Sequence, residues 1–466
     1  MELLIEWLIT LNPKFETEMQ NLLSHSDGHL PLISYQQKEW SQSDFVQEVE
    51  NATNIIQLQT DAWDKNDFVM LNEKHPVRFY SYLLALIITR NRVVVPNRDF
   101  FNQTGAPIYF ASKILTPQNG KLSVDDNPLF QQIIIPSGNI IVFSSGSTGA
   151  CKGIVHDFHN FIFNAKSVIQ LLNFNHHVNL TWLPPYLVSS ISHFLCHWMS
   201  NSHIFYDDFE NLNSLHNLVS EIPNLGVVGS PVHIINAGHI LPENHAPAQF
   251  FSSGDSISTH AVKKILDKFP KTTFNFAYGL AEVAGRFFIN SFCNSTEYTL
   301  DIGKAINNFT PIVDDDRMLV KTPYLFDGYI LNGEFRPASE IHDTGDIVSV
   351  RNGRIYLIGR SNDEIKVLGN KLNIKNLETR IKDILETDDL VIVVANNLNL
   401  GNLIALVMRP RDNLSRQQII CVLRSSLEKY EIPHLYFTID NFPLTHTLKI
   451  DRNCISAGLN NLNQLL

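Results

Sequence analysis

A segment rich in glycine and hydroxyl side chains is the part of the sequence best suited to chemistry. Residues 143–156 read FSSGSTGACKGIVH and follow a largely apolar run at 139–142. Glycine allows a backbone to approach an anion closely, and hydroxyl groups donate hydrogen bonds to phosphate oxygens. The composition therefore predicts a loop that binds a nucleotide triphosphate. Its candidate phosphate ligands are Ser144, Ser145, Gly146, Ser147, Thr148, Gly149 and Lys152.

The position of the lysine disfavours an ordinary P-loop NTPase. In that pattern the second glycine is followed directly by Lys and then by Ser or Thr. Here Lys152 comes three residues after Gly149 and precedes Gly153. Considered alone, the cluster is also typical of a hairpin or linker rich in turn residues. The other polar segments of the chain decide between these two interpretations.

Two carboxylates occur next to predicted strands. Glu282 ends the segment YGLAE at 278–282 and could hold Mg²⁺, a hard cation that prefers oxygen ligands and bridges phosphates. Alternatively, Glu282 is a surface residue at the start of a helix. Asp346 begins a predicted strand and could accept hydrogen bonds from two ribose hydroxyls, although its Thr-Gly-Asp context is also a common turn.

Two basic residues lie in the last third of the chain. Arg360 precedes the polar segment 361–366, which is either a hinge next to a ligand contact or a charged linker between domains. Lys449 lies in the segment PLTHTLKIDR at 443–452, where a lysine is usually a solvated charge.

The elements around these segments predict an α/β fold. Helical spacing at 79–88 precedes a β-branched strand at 92–96, and short apolar runs bounded by turn residues are typical of strands covered on both faces. Such runs occur at 133–135, 140–142, 225–228 and 249–251. The alternation predicts a large N-terminal domain of parallel α/β sheets.

The pattern of predicted helices and strands changes after about residue 289. Shorter strands with polar turns between 318 and 358 predict a β-rich subdomain. Helices at 376–386 and 416–429, which flank a strand at 390–395, then predict a small, mobile α+β C-terminal domain. A predicted domain boundary after residue 360 divides the chain into an N-terminal domain, 1–360, and a C-terminal domain, 361–466.

Composition and net charge limit the classes of molecule that this protein is expected to bind. The 466 residues are 44% hydrophobic and 18% charged, as in soluble globular proteins, and the net charge of -11 disfavours nucleic-acid binding. Five scattered cysteines without a CxxC pair suggest a reducing cytoplasm. Glu2 and Glu6 at the N-terminus predict an amphipathic helix and no signal peptide, and no membrane anchor is visible. We therefore expect a cytoplasmic protein whose partners are small molecules or proteins.

In order and spacing, the five polar segments resemble the adenylate-forming superfamily, which includes acyl-CoA synthetases, nonribosomal peptide adenylation domains and firefly luciferase. The family's phosphate loop reads Thr-Ser-Gly-Thr/Ser-Thr-Gly-x-Pro-Lys-Gly, and here Ser144 replaces the first Thr and Cys151 the Pro. The segment 278–282 resembles Tyr-Gly-x-Thr-Glu, in which the Tyr packs on adenine and the Glu meets magnesium. Ala281 replaces the Thr of that motif.

The resemblance implies roles for the remaining residues. Asp346 and Arg360 would bind ribose, and Lys449 would be the catalytic lysine of the C-terminal domain. That domain would rotate about a hinge at Asn362 and present a loop around Gly369 to pantetheine. The residues implied to contact the nucleotide and acyl group also include Ser253, Gly254, Tyr278, Gly279 and Ala281, and those implied to stabilise charge in the reaction are Lys449, Glu282 and Thr148.

The implied activity is that of an AMP-forming acid-thiol ligase. It uses ATP and Mg²⁺ to convert a carboxylic acid to an acyl-adenylate, releases pyrophosphate and transfers the acyl group to coenzyme A. One alternative is a ligase that loads the phosphopantetheine of a carrier protein. Another is a degenerate nucleotide-binding homologue, suggested by Cys151, Ala281 and Asn362.

The sequence defines the class of the carboxylic acid substrate less closely. Amino-acid-activating relatives usually have an Asp in the segment where this chain has Leu187 and Val188, so an aryl or fatty acid is favoured over an α-amino acid. The short chain resembles compact o-succinylbenzoate-CoA ligases. Arg286 and His193 could contact a second substrate carboxylate, or they could be structural residues with satisfied hydrogen bonds.

Overall fold

The structure is a computed structural model of the chain. It describes residues 31–59, 63–64, 66–96, 110–118, 121–144, 152–172, 174, 178–207, 218–222, 224–293, 301–367, 370–397, 401–410, 415–445, 450–459 and 463–464. The predicted N-terminal helix, phosphate-loop residues 145–151, Gly369 and Lys449 lie outside the described residues.

The described strands alternate with helices through the first two thirds of the chain. In chain order the strands are β1 (Pro31–Tyr35), β2 (Lys38–Ser41), β3 (Phe68–Leu71), β4 (Arg92–Val94), β5 (Ala111–Gln118), β6 (Lys121–Asp126), β7 (Ile140–Ser144), β8 (Lys152–His156), β9 (Val178–Thr181), β10 (His203–Tyr206), β11 (Leu225–Gly229), β12 (Gln249–Ser253), β13 (Thr273–Leu280), β14 (Gly285–Phe292), β15 (Lys304–Ala305), β16 (Thr310–Asp314), β17 (Arg317–Lys321), β18 (Gly328–Leu331), β19 (Glu334–Pro337), β20 (Ile341–Arg351), β21 (Arg354–Arg360), β22 (Glu364–Val367), β23 (Asn370–Asn373), β24 (Leu390–Asn397), β25 (Gly401–Met408), β26 (Leu435–Thr438) and β27 (Asn463–Gln464).

The helices use standard start signals. The α-helices are α1 (Gln42–Gln57), α2 (Pro76–Ile88), α3 (His159–Leu171), α4 (Val188–Met199), α5 (Pro231–Ile240), α6 (Thr259–Lys268), α7 (Ile374–Ile384), α8 (Arg416–Arg424) and α9 (Arg452–Gly458). Proline occupies the first turn of α2 and α5, where its missing N–H costs no helical hydrogen bond. Among the described helices, none is long and apolar enough to cross a membrane.

Two large sheets form the first part of the molecule. The nine-stranded sheet has the order β15-β14-β13-β12-β11-β9-β10-β1-β2, and its six strands from β13 to β1 are mutually parallel. The eight-stranded sheet has the order β19-β18-β8-β7-β4-β3-β5-β6, with a parallel centre from β7 to β5. The predicted α/β class with largely parallel sheets is confirmed.

Helix α2 lies between the two large sheets. Twelve of its thirteen residues are buried, as expected for a helix that is enclosed on all sides. On one side Tyr80 donates to or accepts from Tyr206 of β10 at 2.8 Å, and its ring stacks on Phe194 of α4 at 3.9 Å. On the other side α2 packs against β3 and β4. A single core cluster therefore joins both sheets.

Smaller sheets follow. The strands β16, β17, β20 and β21 form an antiparallel sheet, which matches the predicted β-rich region. After residue 360 the short 3-10 helix Ser361–Asp363 leads to the pair β22–β23 and to the mixed sheet β24-β25-β26-β27, packed by α7, α8 and α9. This last part has core clusters of its own, built from residues between 365 and 459.

Two predicted elements are wrong in detail. The run 133–135 is not a strand: Ile134 is 88% exposed, and the carbonyl of Ile135 accepts a hydrogen bond from the guanidinium of Arg92 at 3.0 Å instead of joining a sheet. The helix predicted over 416–429 ends at Arg424, because Ser425 turns back and its hydroxyl donates to the carbonyl of Val422 at 2.7 Å.

A buried carboxylate fixes α9 to α7. Glu378 lies 2.9 Å from both Lys382 and Arg452, and it also accepts the backbone N–H of Ile392 at 2.9 Å. Burial opposes the charge of Glu378, but Lys382 and Arg452 more than compensate and lower the pKa of its carboxyl.

Replacing this charge should destabilise the protein. We expect Glu378→Gln to lower the free energy of unfolding by about 1–3 kcal/mol at neutral pH, because the partly buried Lys382 and Arg452 lose their charged partner. Since the folded-state pKa is depressed, the difference is complete above the ordinary glutamate value of about 4.3 and shrinks as pH falls through the folded pKa. Urea unfolding at several pH values measures it. The exposed Glu340→Gln is the control, and an equal loss in both variants would contradict the assignment.

Candidate active site

The centre of the candidate site is the carboxylate of Asp346. It lies on β20, is only 2% exposed, and stands opposite Arg360 in the β20–β21 register. The hydroxyl of Tyr278 donates to its Oδ2, and Nε of Arg360 donates to its Oδ1 at 3.0 Å. Tyr278 belongs to the nine-stranded sheet, so this contact joins two sheets. Three residues predicted to bind one nucleotide are therefore in direct contact.

Burial and neighbouring charges set the protonation of this cluster. Burial raises the pKa of Asp346, although Arg360 and Tyr278 act in the opposite direction. Burial and the adjacent carboxylate of Asp346 raise the pKa of Tyr278 well above its usual value. The phenol therefore remains a hydrogen-bond donor over the physiological range.

A bulge in β20 directly before Asp346 fixes the orientation of that side chain. Gly345 has a φ of +73°, a conformation that glycine adopts without strain, and its N–H donates to Asp343 at 2.8 Å. The hydroxyl of Thr344 accepts the N–H of Asp346 at 3.1 Å, and the hydroxyl of Ser361 donates to the carbonyl of Gly345 at 3.1 Å. The Thr-Gly-Asp segment is a bulge inside β20, so Asp346 lies in the middle of that strand and not at the start of a strand as predicted. The bulge positions a buried carboxylate.

Glu282 lies on the 3-10 helix Ala281–Val283, directly after β13. Its Oε1 accepts the hydroxyl of Tyr329 on β18 at 2.7 Å. Burial, followed by the charge of Glu282, raises the pKa of Tyr329. Nε2 of the buried His156 lies 2.8 Å from the carbonyl of Ala281 and donates to it, which fixes the start of this helix. Burial lowers the pKa of His156 to about 4, so the ring is neutral near pH 7.

Lys152 approaches the same tyrosine from the eight-stranded sheet. Its ammonium lies 5.6 Å from the centre of the Tyr329 ring. Burial is the main cause that lowers the pKa of the nearby His342, and both Arg360 and Lys152 lower it further while Glu282 and Asp343 oppose them. Two cations and two carboxylates therefore act on His342. The cations can pair with phosphate oxygens, and Glu282 can offer an oxygen ligand to a divalent cation.

The end of β12 lies beside the site. Ser253 is in register with Ala277, the neighbour of Tyr278, and Gly254 follows with a φ of +91°. Asp255 then contacts Lys375 of α7 at 3.7 Å, and Lys375 also lies 3.6 Å from Asp363. The segment predicted to line the pocket is therefore linked by charge to the part of the chain after residue 360.

Close packing explains the glycine of the Tyr-Gly motif. A Cβ on Gly279 would lie 2.3 Å from the carbonyl oxygen of Gly285, which no side chain tolerates. Ala281 accepts the hydrogen bond of His156 through its backbone. Ser144 is paired with Lys152 in the β7–β8 register, and nothing further is described of the phosphate loop.

Sequence reasoning missed three residues of this site. Tyr329 donates to Glu282, His342 feels its charge, and His156 holds the preceding residue, Ala281. Tyr329 and His342 belong to no motif that the sequence analysis identified, and His156 ends the segment 143–156 but was given no role. For Tyr329 the only signal would have been the pairing of β18 with β8, in which it stands opposite Ile154. Within the described residues, no group of three or more histidines, cysteines or carboxylates could form a metal site made of protein ligands alone.

Comparisons with known proteins agree with this geometry. The profile of the family described as AMP-binding enzyme matches residues 112–330. A provisionally named long chain fatty acid-CoA ligase, VraA, of Staphylococcus epidermidis is 24% identical over 339 residues, which are 70% of this chain and 73% of that protein. The D-alanine–D-alanyl carrier protein ligase of Staphylococcus haemolyticus is 25% identical over 348 residues, covering 68% and 71%.

A solved structure shares the fold over nearly the whole chain. The o-succinylbenzoate-CoA synthetase MenE from Bacillus subtilis, in complex with its acyl-adenylate intermediate, superposes with a TM-score of 0.72 at 15% sequence identity. The match covers 94% of this chain and 96% of that one. The chain is therefore similar to adenylate-forming enzymes over residues 112–330, and it shares its overall fold with a compact o-succinylbenzoate-CoA synthetase. The predicted resemblance is confirmed.

The phenol of Tyr278 should be important for stability as well as for the site. Tyr278→Phe removes a hydrogen bond to a buried carboxylate, and we expect the free energy of unfolding to fall by about 1.5–3 kcal/mol. The matched control is Tyr356→Phe, whose ring lies next to Arg351 on the same small sheet as Asp346. Urea unfolding of both variants provides the test. Equal stability of Tyr278→Phe and the parent protein would show that the bond does not hold the two sheets together.

Proposed function

We propose that the chain is an AMP-forming acid-thiol ligase. It activates a carboxylic acid with ATP to an acyl-adenylate, releases pyrophosphate and then transfers the acyl group to a thiol, with coenzyme A as the expected acceptor. The main support is the contact of Asp346 with both Tyr278 and Arg360, beside Glu282 and Lys152.

The cluster suits a nucleoside. The two oxygens of Asp346 accept one hydrogen bond each from protein donors, and each retains a lone pair for a ribose hydroxyl. Arg360 is 47% exposed in its side chain, so its remaining N–H groups are accessible to the ribose. The flat ring of Tyr278 provides an apolar surface for adenine.

The reaction requires positive charge near the α-phosphate. A carboxylate that attacks phosphorus meets an anionic centre, and further negative charge develops in the transition state. Lys152, Thr148 and the other donors of the phosphate loop would bind the phosphates, and Lys449 would offset the developing charge. We assign Lys449, Glu282 and Thr148 as the groups that act on the reacting atoms.

The residues present fit a magnesium ion that is shared with the nucleotide. Mg²⁺ in such sites usually has one or two protein carboxylates and takes its other ligands from phosphates and water. Glu282 supplies one carboxylate, held in place by Tyr329, and the absence of a larger ligand cluster among the described residues agrees with this arrangement. When bound, the ion would neutralise phosphate charge.

The acyl pocket favours an acid without an α-ammonium group. The segment before α4 ends with Leu187, and α4 begins at Val188, so neither position offers a carboxylate to pair with an ammonium. We therefore propose an aryl or fatty acid class. Because a carrier-protein ligase is as similar to the chain as a CoA ligase, the phosphopantetheine of a carrier protein is the alternative acceptor.

Lys449 provides the direct test. We expect Lys449→Ala to lower acid-dependent pyrophosphate release at least 100-fold, because the developing charge loses a partner worth several kcal/mol. Release is measured against a panel of aryl, fatty and amino acids, with and without coenzyme A. The exposed Lys429→Ala is the matched control and should retain the parent rate.

The panel also separates the alternatives. Release that requires a particular acid and rises with coenzyme A supports the proposed ligase, and the acid defines its class. Thioester formation on a phosphopantetheinylated carrier protein, with no response to coenzyme A, would favour the carrier-protein alternative. Binding of ATP without release for any acid would favour the degenerate homologue.

The second half-reaction should depend on the link after Arg360. The proposed hinge is Asn362, within the 3-10 helix Ser361–Asp363. Proline fixes φ and restricts the residue before it, so Asn362→Pro should spare adenylation and slow thioester formation by an order of magnitude or more. ATP–pyrophosphate exchange and thioester formation are measured separately, with Asn362→Ala as the control. Equal loss of both activities would overturn the hinge assignment.

A further inference from the structure

A buried guanidinium next to the proposed acyl site has no anionic partner in the described part of the chain. Arg286, on β14, is only 4% exposed. Nη2 donates to Nδ1 of His193 at 2.9 Å, and Nη1 lies 3.5 Å from the hydroxyl of Ser192 and 3.7 Å from the sulfur of Cys196. Its Nε has no hydrogen-bond partner among the described residues.

The neighbours of Arg286 do not supply a counter-charge. No described aspartate or glutamate forms an ion pair with it, and burial raises the pKa of the Cys196 thiol to about 11, so that thiol is neutral. Charged side chains are almost never fully buried unless they are paired, because removing a charge from water is costly. The arginine remains charged at neutral pH. An anion is therefore expected at this position in the functional complex.

His193 offers a second donor of the same kind. Because an arginine can only donate, Nδ1 of His193 accepts its hydrogen bond, and the proton of the neutral ring is on Nε2. This Nε2 is buried and has no partner within the described part of the chain. The hydroxyl of Ser252, at the end of β12, is likewise buried without a partner there. All three groups can donate to a carboxylate.

The backbone holds Arg286 in place independently of its charge. The side-chain amide of Asn164 donates to the carbonyl of Arg286 at 2.6 Å, and its oxygen accepts the N–H of Arg286 at 3.3 Å. The guanidinium lies 4.7 Å from the ring centre of Phe251. Strand β14 and helix α3 therefore fix the base of the side chain, so its charge is not needed to anchor it.

The location connects this charge to the proposed site. Arg286 stands opposite Gly279 in the β13–β14 register, next to Tyr278 of the nucleotide cluster. Phe251 lies two residues before Ser253, at the end of β12, and His193 is on α4, the helix that begins at Val188. The unpaired donors thus lie among the elements proposed to enclose the acyl group.

We infer that Arg286 and His193 bind a second carboxylate of the acyl substrate, so that the acid activated by this chain is a dicarboxylic acid. One carboxyl reacts with ATP, and the other is held by the guanidinium and the imidazole N–H. This inference rests on the proposed ligase function, because it assigns the substrate class of the same site.

Matched pairs of acids test the inference. Linear dicarboxylic acids of four to eight carbons are compared with the fatty acids of equal length, and benzoic acids with a carboxyl-ended side chain are compared with their methyl-ended analogues. Acid-dependent ATP–pyrophosphate exchange gives kcat/KM for each acid. We expect the best diacid to exceed its monoacid partner by about 10- to 150-fold, the effect of hydrogen bonds to a charged group.

Arg286→Met should reduce that preference by the same factor, and Arg286→Lys should retain part of it. The matched control is Arg92→Met, which removes a half-buried guanidinium bonded to carbonyls of residues 66, 135, 137 and 138. It should leave the ratio of diacid to monoacid unchanged. A parent enzyme that uses monoacids at least as well, with a ratio that Arg286→Met does not alter, would overturn the inference and leave the ligase function intact.

Thermal unfolding separates the two proposals if exchange is absent. A structural arginine would stabilise the free protein, so its replacement by Met would lower Tm, whereas removal of an unpaired buried charge should leave Tm equal or higher. Added diacid should raise the Tm of the parent and not that of Arg286→Met. That result without any exchange would support the anion site and reject the ligase, and no Tm response to any diacid in the parent would overturn the site.

Discussion

The structure depends on the need to pair one buried charge. Asp346 is almost completely removed from water, and its carboxylate is stabilised by Tyr278 and Arg360. Tyr278 belongs to the nine-stranded sheet, whereas Asp346 and Arg360 belong to the small antiparallel sheet. The pairing therefore sets the position of one sheet against the other. Arg360, one member of this pairing, directly precedes the 3-10 helix Ser361–Asp363. The proposed ribose contact and the link to the last part of the chain therefore share one interaction.

The eight-stranded sheet contributes Tyr329 to the region beside this cluster. This residue connects Glu282, which follows the nine-stranded sheet, with Lys152 of the eight-stranded sheet. The proposed nucleotide site is thus built where three sheets converge, and its charges are largely balanced by protein groups. Arg286 differs, because its charge is equally buried but has no balancing group among the described residues. This contrast distinguishes the nucleotide cluster, whose buried charges are paired within the protein, from the proposed acyl site, where we infer that a ligand supplies the anion.

Local patterns predicted much of the fold and part of the site. Apolar runs bounded by turn residues identified β11 and β12, and the motifs singled out Tyr278, Asp346 and Arg360. The run 133–135 failed as a strand, because a carbonyl that would join a sheet is instead bonded to a distant guanidinium, Arg92. Tyr329 was missed because its role follows from which strands become neighbours, and that pairing has no signal in the sequence around it. The contact of Tyr278 with Asp346 likewise arises only when separate sheets meet.

The order of strands in the eight-stranded sheet has a consequence for synthesis and folding. Strands β18 and β19 complete a sheet whose other members all precede residue 157, and a nine-stranded sheet is formed largely from the residues between. The edge of β8 must therefore remain unpaired until residue 331 has left the ribosome. Pairings of such long sequence separation form slowly and expose strand edges to aggregation in the meantime. Lys152, the first residue of β8, is a charged residue of the kind that discourages edge-to-edge association of strands. The side chain that we propose to bind phosphate would therefore also protect the nascent chain from aggregation.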